Sequence, residues 1–169
     1  WRAFERHYSL TTYEQLISKL DSTIPVYPDW IKGIACALGS AGLAFLYSGD
    51  MIAFIVTVIC SLIGYFGRTL SVRFGCNEYV GIAIGGFAAM VSAYGFYSHI
   101  EQDSLVYVLV CCTLFMIPGV PLINSVIDTI NNHILSGITR AIRTILIVGS
   151  MTLGMAMALY FSPMPAFSF

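Results

Sequence analysis

The residues with the clearest capacity for chemistry fall in one stretch, PGVPLINSVIDTINNHILSGITRAIR, from Pro118 to Arg143. Asn124, Asp128 and Asn131 are spaced four and three apart, so on a helix they share one face. Asn132 and His133 lie beside that face, and Thr139, Arg140 and Arg143 follow after Ser136-Gly137, which reads as a break before the last helix. A hairpin here would bring Asp128 near Arg140 or Arg143. Such an ion pair would make the charges tolerable in apolar surroundings and leave them exchangeable for a ligand. Upstream, Pro118 and Pro121 lack an N–H and clash with the preceding turn, while Gly119 tolerates unusual dihedrals. A kink or unwound step with free carbonyls is expected, as in the discontinuous membrane helices that bind ions and polar ligands. The candidate substrate- or ion-binding residues are Pro118, Gly119, Asn124, Asp128, Arg140 and Arg143. A plainer reading stays open, in which Asp128 to Arg143 is the solvated end of a bent helix and the two arginines only fix topology. Asp50 and Glu78 read as loop residues.

The elements that position this stretch are membrane helices. The chain is 57% hydrophobic and 10% charged, against roughly 25% charged in soluble domains. That deficit excludes a soluble globule. A net charge of −1 excludes the basic footprint of a nucleic-acid binder. The five cysteines form no CxxC pair, and four lie in apolar segments where Cys acts as a small hydrophobe. No metal site and no cofactor are implied. An intramembrane enzyme is disfavoured, because Asp128 has no second carboxylate to face, no HExxH occurs, and no Ser–His pair sits in facing spans.

The expected fold is all-α, a bundle of five transmembrane helices over residues 30–169 with a Pro-Gly-broken fourth helix. The spans read as 30–48, 51–67, 79–98, 105–130 and 143–161. Leu105 to Ile117 alone reaches only about 20 Å at 1.5 Å per residue, short of roughly 30 Å of hydrocarbon, so the fourth span must continue through the prolines. Residues 1–29 read as a short cytosolic amphipathic helix opened by the capping box Thr11-Thr12-Tyr13-Glu14, and as a linker or remnant of an N-terminal domain. Small residues recur every fourth position in Gly33-Ala37-Ala41 and Gly81-Gly85-Ala89-Ala93, and Gly149, Ser150 and Gly154 give the last span another small face. Such faces let helix backbones approach closely. With five spans, all eight Lys and Arg fall on the N-terminal side, so the N-terminus is expected in the cytosol and the C-terminus outside. An odd number of spans suggests a second half.

The string Pro118-Gly119-Val120-Pro121-Leu122-Ile123-Asn124, then Asp128, then Ser136-Gly137-Ile138-Thr139-Arg140, resembles the threonine/serine exporter family, in the type made as a small five-span inner-membrane subunit. The resemblance covers the chain from about Trp30 onward. It implies a bacterial inner-membrane protein, half of a secondary transporter exporting threonine and serine or succinate-like dicarboxylates. It also implies a second membrane subunit of similar size or a homo-oligomer. Pro118, Gly119, Asn124, Asp128 and Arg140 match best. For an anionic substrate, Arg140 is the natural counter-charge and Asp128 the natural proton or cation carrier. The alternative is a non-transporting structural or regulatory membrane subunit.

Overall fold

The computed structural model describes residues 27–96 and 102–161. The amphipathic helix expected over Thr11–Leu20, the basic residues Arg2, Arg6 and Lys19, and the tail after Phe161 lie outside the described residues. The chain divides into two compact units, Trp1–Lys32 and Gly33–Phe169. Among the described residues every element is helical: α1 (Asp29–Ser48), α2 (Met51–Arg73), α3 (Glu78–Gly95), α4 (Gln102–Cys111), a 3-10 turn (Leu114–Met116), α5 (Gly119–Ile130) and α6 (Ile134–Phe161).

The helix ends follow local chemistry. Asp50, expected as a plain loop residue, is the N-cap of α2. Its carboxylate accepts the Ile52 N–H at 3.0 Å, an arrangement worth about 1 kcal/mol. Gly49 before it has φ 67°, a left-handed value that glycine adopts freely. Asn77 caps α3 through the Tyr79 N–H. Arg68 and Arg73, beyond the expected end of the second span at residue 67, lie inside α2, which runs on to Arg73 before a four-residue turn. Likewise α6 opens at Ile134, so Ser136-Gly137 is not a break but its first turn.

Small side chains fill many interior positions, beside larger ones such as Ile82, Leu105 and Met116, while large apolar side chains cover much of the outside. Ala37, Ala41, Ala44, Ala53, Ala89 and Ala93 are buried, whereas Leu46, Leu135 and Leu153 are mostly exposed. A water-soluble fold would reverse this; in lipid, small residues inside let helices approach and large apolar ones face the tails. The chain is a membrane protein. Helix α3 packs between α2 and α6, α5 packs on α6, and α4 lies against α2. Glycine makes these crossings possible. A Cβ on Gly85 of α3 would meet the Gly64 carbonyl oxygen at 2.8 Å and the Arg68 Cβ at 2.9 Å, and would also strike the Met116 side chain. Gly154 of α6 lies against the Ala83 backbone of α3, while Gly149 faces open space and takes no part in the expected small face.

By length and composition the described helices supply three to four of the five expected spans. Helices α1, α2 and α6 are long and apolar enough to cross a membrane, and a fourth crossing exists if Ser104–Met116 and Gly119–Ile130, bent 59° apart, form one. Helix α3 falls outside that set. It has 18 residues, opens on Glu78 and carries four glycines, Gly81, Gly85, Gly86 and Gly95. Its small residues serve packing.

Candidate functional site

The fourth segment loses α-helical form well before its first proline. Helix α4 ends at Cys111, and the chain passes through the 3-10 turn Leu114–Met116 before α5 starts at Gly119. The proline ring of residue 118 crowds the carbonyl four residues back and pushes residue 117 toward extended backbone; Ile117 has ψ 121°. Pro118 itself is the N-cap of α5, with φ −80° and ψ 65°. Pro121 sits in the first turn of α5, where a helix has no internal acceptor for that N–H, so it breaks nothing. The free carbonyls expected here are occupied. The Ser61 hydroxyl donates to the Cys112 carbonyl at 3.3 Å, and the Thr113 hydroxyl donates to Val110 at 3.1 Å. The Thr113, Leu114 and Ile117 carbonyls accept the N–H groups of Met116, Ile117 and Gly119.

The bend is held by side chains on both neighbours. Met116 is buried against the glycine notch of α3, and the Phe115 ring lies 6.1 Å from that of Tyr65 on α2. The notch and the bend are therefore in direct contact.

After α5 comes a tight reversal. Asn132 has φ 61°, a left-handed conformation that Asn tolerates better than most residues. The His133 N–H donates to the Asp128 carbonyl at 2.9 Å and the Asn132 N–H to Thr129 at 3.2 Å. This is a Schellman cap, normally supplied by glycine. Asn131, Asn132 and His133 thus form the turn. Gly137 of α6 then rests on α5, 2.9 Å from the Ser125 carbonyl oxygen when a Cβ is built on it. The reversal places Asp128 beside α6. The Ser136 hydroxyl donates to its Oδ2 at 2.9 Å, and Arg140 pairs with the same oxygen at 3.2 Å.

Arg143 does not join that pair. It reaches across to α3, where its Nη2 lies 3.0 Å from Glu78 Oε2. Arg68 of α2 takes the other oxygen, Oε1, at 3.4 Å. Three helices thus contribute two guanidiniums and one carboxylate. These three residues line a cavity of about 280 Å³ together with Ile82, Phe115, Met116, Ile117, Pro118, Pro121 and Ile147. Of the six residues singled out from sequence, Pro118 and Arg143 line this cavity. Gly119, Asn124, Asp128 and Arg140 do not; Asn124 is half-buried on α5, and Asp128 and Arg140 close the hairpin. Sequence reading passed over Glu78 and Arg68. The signal available was an arginine in the last turns of one apolar helix and a glutamate opening the next across a four-residue turn, a pattern that also describes an ordinary helix connection. A second hollow of about 180 Å³, lined among others by Met90, Leu109, Val110, Met151 and Met155, is apolar.

The family model described as "Putative threonine/serine exporter" matches residues 1–162. The chain belongs to the threonine/serine exporter family. Among curated proteins of related sequence, it is similar to one from Klebsiella aerogenes named "Probable succinate transporter subunit YjjP", at 23% identity over 161 residues. It is also similar to the Escherichia coli K12 protein of the same name, at 23% identity over 154 residues. Each match covers 90% of this chain and 60% of the relative, so this exporter-family chain spans only part of the length of these relatives. No solved structure matches it. The family match covers both the hairpin and the cavity-lining residues.

Proposed function

We propose that this chain is part of a secondary transporter that exports small polar metabolites, threonine and serine or succinate-like dicarboxylates, across the bacterial inner membrane. The observation that carries the reading is the Arg68–Glu78–Arg143 cluster, set in a cavity against the bend at Pro118. Charged groups among membrane helices are costly and are kept for ligand or ion handling. A cavity of about 280 Å³ lies just below the usual range for drug-sized ligands, which suits a small metabolite. Membership of an exporter family and the names of the two relatives support transport over catalysis.

In this reading the protein crosses the membrane five times. Helix α3 spans about 27 Å at 1.5 Å per residue and is carried across by its packing between α2 and α6, and α4 with α5 makes one bent crossing. The N-terminus is cytosolic and the C-terminus outside, because Lys32, Arg68, Arg73, Arg140 and Arg143 then share the cytosolic side. The cavity opens toward that side, where substrate is loaded. A second membrane subunit, or a second copy, completes the pathway. Asp128 and Arg140 hold the α5–α6 hairpin beside the cavity, and their pair is available to move with it.

The test is efflux of labelled succinate, threonine and serine from cells expressing the chain alone and with its partner subunit. Efflux of at least one of them that requires both chains is expected. No efflux from an assembled complex would overturn transport and favour a structural subunit.

A further inference from the structure

Glu78 is not a plain surface anion. Its two carboxylate oxygens are divided between two guanidiniums from different helices, Oε1 toward Arg68 and Oε2 toward Arg143. Each arginine is engaged through one nitrogen only, Nη2 in both cases. A guanidinium carries five donors in a planar fork that matches a carboxylate two-to-two. Both forks are therefore underused by Glu78, in a cluster that faces the cavity. The cluster also carries two positive charges against one negative, at the open side of a cavity whose remaining lining residues are apolar.

The two arginines are not equivalent. Arg68 is the more covered, its side chain 31% exposed against 59% for Arg143. Its Cβ packs against Gly85, and a four-residue turn ties its helix to that of Glu78. Arg143 stands on α6, the helix that carries the α5 hairpin and so adjoins the bend. The Glu78–Arg143 contact is a tie between the α2–α3 pair and the α5–α6 pair.

Building on the transporter reading above, we propose that Glu78 is an internal stand-in for a substrate carboxylate. A carboxylate of the substrate takes the Arg143 fork and displaces Glu78, which stays with Arg68. Binding then replaces the tie between the two helix pairs by a tie through substrate. The specificity follows from charge. A ligand with net negative charge neutralises the surplus arginine, whereas a zwitterionic amino acid leaves the cluster positive and needs Glu78 for its ammonium group. Glu78 is thus a specificity-determining residue that sets how strongly dicarboxylates are preferred over amino acids.

The test is calorimetric binding of succinate and serine to the purified, fully assembled transporter, compared with variants of matching thermal stability. Glu78→Gln removes the internal competitor and adds one positive charge. Succinate affinity is expected to rise about ten-fold, and serine affinity to fall or stay level. Arg143→Gln is expected to weaken succinate by about ten-fold or more. In an Arg143→Gln background the Glu78→Gln gain should vanish, because the two changes act on one contact. Glu78→Asp, which keeps the charge but shortens the arm, serves if Glu78→Gln does not fold, and should raise succinate affinity by a smaller factor. A drop or no change in succinate affinity in the Glu78 variant, or an equal rise for serine, overturns the proposal. Because binding is read without transport, that result stands apart from a failure of efflux, which would instead count against the transporter reading.

Discussion

Two clusters in this protein pair an acidic residue with arginine, and they are built differently. At the hairpin, Asp128 meets Ser136 and Arg140 across a turn of three residues, with one arginine for one carboxylate. At the cavity, Glu78 meets Arg68 ten residues back and Arg143 sixty-five residues ahead, with two arginines for one carboxylate. The first pairs its charges one to one and lies off the cavity; the second lines the cavity and carries one more positive than negative charge. In the function proposed above the first acts as a clamp and the second as a receptor: chemistry-bearing residue types are common to the two, and cavity and charge imbalance distinguish them.

The contrast breaks most severely at Gly85. Gly85→Leu would push against the Gly64 carbonyl, Arg68 and Met116 together. Loss of most folded, monodisperse protein is expected in fluorescence-detected size exclusion, since overpacking of this kind costs about 1–3 kcal/mol or more. Full recovery of folded protein would show that the fold does not depend on the notch. The next effect is functional. Arg143→Gln should cut efflux about ten-fold or more, as loss of a charge-assisted contact to substrate would, while Arg140→Gln should cut it only a few-fold by loosening the hairpin. Equal losses would erase the distinction between the clusters. Asp128→Asn is expected to behave as Arg140→Gln does, and complete loss of efflux in a well-folded Asp128→Asn protein would instead identify Asp128 as the proton or cation carrier.

Smaller effects test the hairpin's geometry. Asn132→Val places a β-branched residue at φ 61° and should cost about 1–2 kcal/mol in thermal unfolding, whereas Asn132→Gly should be neutral or slightly stabilising. The smallest effect is expected for Pro121→Ala. Pro121 lies in the first turn of α5, so its removal should shift stability by no more than about 0.5 kcal/mol and leave the bend in place. A large loss would mean that Pro121, rather than Pro118 and the Met116 contact, shapes the break.

What could be read from the sequence is what short-range geometry dictates. The alternation of apolar and small residues set the membrane class and the helices, and positions four apart on one face announced the packing at Gly81, Gly85, Ala89 and Ala93, all buried. The meeting of Asp128 with Arg140 was also accessible, because helix periodicity and one turn fix residues twelve apart. The start of α6 was misplaced by nine residues, since Ser136-Gly137 looks like a breaker and the true turn rests on Asn132 adopting a left-handed conformation. The break lies where expected but its carbonyls are not free, because the Ile117 and Gly119 N–H groups take the Leu114 and Ile117 carbonyls that the two prolines leave without a donor, and hydroxyls of Ser61 and Thr113 take those of Cys112 and Val110.

The sequence by itself therefore determined the class of protein, its family, the approximate helical segments and a carboxylate–arginine pair at the hairpin, with Arg140 and Arg143 both open as the partner of Asp128. Only the tertiary structure decided that Glu78 joins Arg68 and Arg143 at the cavity. Local spacing constrains neighbours within a helix or across a turn. A contact between residues sixty-five apart depends instead on which glycines the helices cross at, and here Gly64, Gly85 and Gly154 make that choice.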